Sequence, residues 1–172
     1  MRHFFPFIIM GLAMVAAVNS TNAAGLTARF VDPEWDGKTV PKKDICKLAG
    51  GQEAMSPRIQ VDNIPAGATK IIVAFNDESN ARLSTDGGHG KISVAVPEGA
   101  TSVIVPSVPS ESELVPPGVT VEAKHRSTTP GYYLAPCSRG HGHMYAAEII
   151  AVKRGLLRNS EMDRVRLQLG VY

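Results

Sequence analysis

The chain has 172 residues, 44% of them hydrophobic and 20% charged, and a formal net charge of +2. With no run of like charge, that balance makes no overall electrostatic case for nucleic acid or an acidic membrane surface as partner. Roughly 150 residues follow the N-terminal segment, enough for one domain with a buried core, and no repeat or low-complexity tract divides them.

The N-terminal segment reads as a secretory signal peptide. Arg2 and His3 precede an apolar run from Phe4 to Val18, and a small, polar stretch from Asn19 to Ala24 follows. The run is shorter than the roughly 20 residues of a spanning helix, so a membrane anchor is the weaker reading. Cleavage after Ala23 places Thr21 and Ala23 at the small-residue positions, and no cysteine follows to carry a lipid. Residues 1–23 are expected to be removed. Residues 24–172 then form one exported domain, periplasmic or secreted, with no transmembrane span.

Short runs rich in Val, Ile, Phe and Thr predict strands over 26–31, 58–63, 69–75, 91–96, 102–105, 119–124, 144–152 and 164–172. Turn signals separate them at Pro65-Ala66-Gly67, Asp86-Gly87-Gly88, Pro97-Glu98-Gly99 and Pro116-Pro117-Gly118. The last run alternates, with Val165, Leu167, Leu169 and Val171 on one face, which predicts a half-buried strand. By contrast, the run from Lys70 to Phe75 is apolar on both faces and predicts a strand covered on both sides. Only two short helical pieces are expected, near 42–48 and 156–162. The pattern predicts a mostly β fold, a sandwich or a barrel. Two proline-bearing loops are long, 106–118 and 125–142, and only the second carries residues for chemistry.

Three clusters could carry chemistry. Asn76-Asp77-Glu78 ends the apolar strand, where a carboxylate would face whatever lies beyond the sheet; a plain turn-forming role competes. In "TDGGHGK", residues 85–91, the glycines could form a backbone nest for an anion, against a simple turn with a solvated His89. The third is "PGYYLAPCSRGHGHMY", residues 130–145, with three tyrosines, two histidines and one of the chain's two cysteines. His141 and His143 share a face on an extended backbone, and His89 would complete an open zinc site. No carboxylate stands nearby in sequence to orient such ligands. There is no G-x-S-x-G and no P-loop, and no cofactor is expected. Cys137 beside His141 and His143 could act as a thiol nucleophile only if free. In an oxidising compartment Cys46 and Cys137 are a candidate disulfide, with two separate buried thiols as the alternative.

Taken in order, these clusters resemble the phosphatidylethanolamine-binding protein family, in its bacterial, Raf-kinase-inhibitor-like branch. The resemblance runs over roughly residues 26–152. It rests on Cys46, Gly50-Gly51 and Ser56-Pro57, on the turn Pro65 to Lys70, on Asp77 to Ala81, on His89, and on Ala135 to Tyr145. The last segment is the most specific, keeping Pro136-Cys137, Gly140 and His143-x-Tyr145 in step. The departures are in the first segment, where both prolines and the second aspartate of the family pattern are gone, leaving Ser79 and Asn80, at Gly90 in place of an aromatic residue, and at Met144 in place of an arginine.

The resemblance implies a β-sandwich with a large central sheet and a smaller one. It also implies a non-catalytic pocket for phosphate-like or other anionic ligands. Carried over as ligand-binding residues are Asp77, His89, Pro136, His143 and Tyr145, with the Gly131-Tyr132 backbone as a wall. Pro136 is expected on the rim and His141 at the edge. Two other readings compete. One is a protein-interaction module, an inhibitor of a protease or kinase-like partner, using loop 106–118. The other is a metal-dependent hydrolase built on His89, His141 and His143.

Overall fold

The computed structural model describes residues 25–172, so the signal-peptide reading of 1–23 lies outside the described residues. The eight strands are β1 (Thr27–Phe30), β2 (Ile59–Asp62), β3 (Lys70–Asp77), β4 (Lys91–Ala95), β5 (Ser102–Val105), β6 (Val119–Ala123), β7 (Met144–Lys153) and β8 (Ser160–Val171). Each falls on one of the predicted runs. They form a three-stranded sheet, β1-β2-β5, and a five-stranded sheet, β6-β4-β3-β7-β8. Every neighbouring pair is antiparallel.

The P-x-G turns work as their chemistry dictates. Ala68, Ala100 and Val119 each donate a backbone hydrogen bond to the carbonyl of Pro65, Pro97 and Pro116 respectively. The third residue of each turn takes the positive φ that glycine admits without strain, Gly67, Gly99 and Gly118 at 86°, 75° and 83°.

Period-two alternation decides what faces inward. On β3, Ile71, Val73 and Phe75 form one row, opposite Val94 and Ile92 of β4 and Ala151, Ile149 and Ala147 of β7. These side chains join Ile59, Val61 and Val105 of the smaller sheet in a single core. The two sheets therefore bury their apolar faces against each other. The other row of β3, Ile72, Ala74 and Asn76, is covered by side chains and a turn. Lys70 reaches Glu122 at 2.5 Å, Glu148 sits between Arg164 and Ala74, and Asn76 Oδ1 accepts from Gly87 and Gly88 N–H at 2.9 and 3.2 Å. Small residues under long, stem-burying neighbours suffice there.

Two helical expectations fare differently. Around 42–48 the chain makes two short 3-10 turns, Lys42–Asp44 and Lys47–Ala49. The expected helix over 156–162 is corrected: β7 turns back at 154–159 and β8 begins at Ser160, paired with Lys153. An open edge on β7 offers a ladder of backbone hydrogen bonds, and the local helical preference of seven residues is too small to compete with it. No helix among the described residues is long and apolar enough to cross a membrane.

Candidate functional site

Asp77 is the next member of the inward row after Ile71, Val73 and Phe75, and Tyr145 stands directly opposite it on β7. The apolar row therefore ends in a carboxylate and a phenol, both buried. A turn follows at once and is held by side chains. Asp77 Oδ1 accepts from Ser79 N–H at 3.0 Å, Ser79 Oγ accepts from Met144 N–H at 3.0 Å, and Glu78 N–H reaches the Met144 carbonyl. Arg166 clamps Glu78 with two hydrogen bonds, at 2.6 and 2.5 Å. Ser79 thus has a positive role at a position where the sequence departs from the family pattern.

His143 joins the pair from the segment before β7. Its Nδ1 lies 2.8 Å from Asp77 Oδ2, so that nitrogen carries the proton and Nε2 faces outward. Its backbone is tied to Tyr172 by reciprocal hydrogen bonds of 2.9 and 3.0 Å. Ser138, one residue past the disulfide, donates its hydroxyl to the Tyr172 carbonyl.

His89 arrives from the turn before β4. Its ring meets that of Tyr145 edge-on at 5.4 Å, and the Tyr145 ring lies 6.5 Å from that of His143. His89 Nδ1 is 2.8 Å from the Leu134 carbonyl and must donate to it. Nε2 is then an acceptor, buried and without a partner in the protein. Burial, the largest cause, holds the His89 pKa below its ordinary value, so the ring is neutral at pH 7. Burial likewise pushes the Tyr145 phenol up to about 12. Its oxygen accepts from Cys137 N–H at 3.0 Å.

Cys46 and Cys137 are joined, with Cα atoms 5.2 Å apart and 91 residues of separation. Cys46 N–H also bonds the Pro136 carbonyl at 3.0 Å, so bridge and hydrogen bond fix the 136–138 wall of the site together. A thiol nucleophile at Cys137 is thereby removed.

The remaining expected residues stand as follows. Pro136 is buried, not on a rim. Gly131 packs against the Glu111-Ser112 backbone at a φ of 105°, where any Cβ would come within 2.5 Å of Ser112 N. Tyr132 reaches the cluster only through its carbonyl, set against Gly90, while its ring packs outward beneath Lys124 Nζ at 5.1 Å. A Cβ on Gly90 would lie 2.5 Å from that carbonyl, which explains why this turn has no room for an aromatic residue. His141 is exposed and outside the cluster.

The glycine turn is not an anion nest. Gly87 and Gly88 N–H groups go to Asn76 Oδ1, His89 N–H to the Phe75 carbonyl and Gly90 N–H to the Gly87 carbonyl. Every donor of the would-be nest is spent on structure. Among the described residues no group of three or more His, Cys, Asp or Glu side chains is arranged to hold a metal ion.

No family model matches the chain, and no curated protein matches it in sequence. Functional argument therefore rests on the site itself.

Sequence reasoning missed Leu134 and Tyr133. Leu134 exchanges two hydrogen bonds with His89, one through each carbonyl, and sets the ring's tautomer. Tyr133 packs on Phe75 at 4.7 Å with its hydroxyl buried and without a partner. Only the folded contacts reveal either. Five clefts among the described residues, of about 210–520 Å³, are lined by other residues. Asp77, His89 and Tyr145 are buried, and the cluster reaches solvent at His143, whose side chain is 28% exposed.

A pH test reads the buried rings. His125, on the 125–142 loop, is buried like His89, and burial lowers its pKa too. Unfolded, each ring takes a proton near pH 6.5; folded, burial disfavours it. Stability is therefore complete above pH 6.5 and falls as pH drops below it, by up to about 1.4 kcal/mol per pH unit for each histidine. Urea midpoints should decline from pH 7.5 to 5.5, and His125→Gln should reduce the slope by one proton's worth. A flat midpoint across that window would show that both rings accept protons in the native state.

Proposed function

We propose that the protein is a non-catalytic binding protein for a phosphate-like anion, with the ligand held between His143 and His89 beside Tyr145. The carrying observation is a pair of imidazole nitrogens that the protein's own hydrogen bonds leave free: His143 Nε2, on a ring backed by Asp77 at 2.8 Å, and His89 Nε2, buried and unpartnered. The resemblance to the phosphatidylethanolamine-binding protein family supports the same reading, since its ligand residues correspond to Asp77, His89, His143 and Tyr145. An exported location, after loss of 1–23, belongs to this proposal; the disulfide supports it.

The tautomers narrow the ligand. A protonated His143 donates to an anionic oxygen, whereas neutral His89 can only accept. The best-matched ligand is an anion that still bears a proton, such as a monoprotonated phosphate or phosphomonoester. Affinity for a phosphomonoester should then fall as pH rises past about 6, where its monoanion loses the remaining proton. A hydrogen bond to a charged group contributes about 1.5–3 kcal/mol. His143→Ala should cost binding that amount while leaving the unfolding midpoint nearly unchanged, because the ring is partly exposed. Calorimetric titration of inorganic phosphate and phosphoethanolamine into both proteins is the check. Equal heats and affinities for wild type and variant would end this reading.

The interaction-module reading has one observation in its favour. Leu114, in loop 106–118, is 78% exposed, while Glu111 in the same loop anchors it by accepting from Lys47 N–H at 2.8 Å. Partner capture that survives His143→Ala but not Leu114→Asn would support it.

A further inference from the structure

The turn between β7 and β8 has an unexpected composition. Residues 153–159 read Lys-Arg-Gly-Leu-Leu-Arg-Asn, and turns favour Gly, Asn, Asp and Ser over leucine. Leu156 and Leu157 are 106% and 100% exposed, so they touch nothing else in the fold. The turn itself is tight, since a Cβ on Gly155 would lie 2.4 Å from the Arg158 carbonyl. Arg154 N–H is anchored to Thr69 Oγ1 at 2.8 Å, fixing the base of the turn to the sheet. Two leucines are thus presented at the tip of a braced hairpin.

Charge surrounds them with one sign. Lys153, Arg154 and Arg158 flank the leucines and have no ion pair among the described residues, whereas the nearby Arg164 is neutralised by Glu161 at 2.6 Å. Apolar tips ringed by unpaired cations suit a surface that is hydrocarbon at depth and anionic at its face. A stable protein interface needs about 800 Å² from each partner, far more than two leucines present.

We propose that this hairpin tip is an anchor for an anionic phospholipid surface, with Leu156 and Leu157 entering the acyl boundary and Lys153, Arg154 and Arg158 meeting headgroup phosphates. β7 runs from Tyr145 at the candidate site to Lys153 at the tip, a rise of roughly 26 Å over eight residues. Anchored there, the protein holds the His143 opening away from the lipid and toward the aqueous phase.

The test uses the exported protein and vesicles of phosphatidylglycerol or phosphatidylcholine. Wild type should float with phosphatidylglycerol vesicles at low salt, and much less at 0.5 M salt or with phosphatidylcholine. The Leu156→Asn/Leu157→Asn variant should bind at least tenfold more weakly at an unchanged melting temperature, and His143→Ala should bind as wild type does. A Leu157→Trp variant reads the tip directly: its emission should shift to the blue on phosphatidylglycerol vesicles, against a buried and constant Trp35. Equal flotation of wild type and the double variant, no blue shift, or flotation lost in His143→Ala would overturn the proposal. So would a wild-type dimer that the double variant abolishes, which would assign the tip to a second copy.

Discussion

Replacing Cys46 and Cys137 together by alanine should lower the unfolding free energy by about 4–5 kcal/mol. Their bridge closes a loop with 91 residues of sequence separation, and the chain-entropy cost of leaving so long a loop open in the unfolded state is about that size. The native state loses something as well. Cys46 N–H bonds the Pro136 carbonyl and Cys137 N–H bonds the Tyr145 oxygen, so the bridge lies directly behind the ring cluster. Reduction should therefore weaken the proposed phosphate binding before the fold is lost. Denaturant unfolding with and without reductant measures the first effect, and calorimetry under mild reduction the second. An unfolding midpoint indifferent to reductant would contradict the account.

Phe75→Ala should cost about 3–5 kcal/mol, the usual range for deleting a buried aromatic side chain from a packed interior. Phe75 is 1% exposed in the central strand of the larger sheet and stacks on Tyr133 at 4.7 Å. A cavity is then expected under the same strand that carries Asp77 two residues on. Phe75→Leu keeps most of the volume and should cost much less. Urea titrations should show a lower midpoint with an unchanged slope for the alanine variant. A cost under about 1 kcal/mol would mean that Tyr133 collapses into the gap, and that β3 is more plastic than its burial suggests.

How much of this was legible beforehand differs from residue to residue. All the strands stood in the sequence, because alternating Val, Ile and Phe between P-x-G turns leaves the backbone few other ways to pair its hydrogen bonds. Period two places Asp77 in one row with Ile71, Val73 and Phe75, but a run apolar on both faces does not say which row is inward, and the packing of the two sheets decided that. The stretch 156–162 was not legible: a seven-residue segment has too weak a local preference to say whether it turns or coils, and the waiting edge of β7 decided it. Nor could the glycines of 87–90 declare their purpose, because a nest and a spent turn have the same composition. Asn76, reaching across from β3, takes the donors.

By itself, then, the sequence determined a mostly β domain with one apolar row ending in a carboxylate, and two cysteines able to pair. Those properties follow from local periodicity and composition. Only the tertiary structure decided that the Leu134 carbonyl holds His89 as an acceptor, that Pro136 is buried and that His141 stays outside. It also decided that Leu156 and Leu157 have nothing to pack against. Each of these depends on which distant segment arrives beside a residue, and contacts across tens of residues leave no periodic trace in the chain.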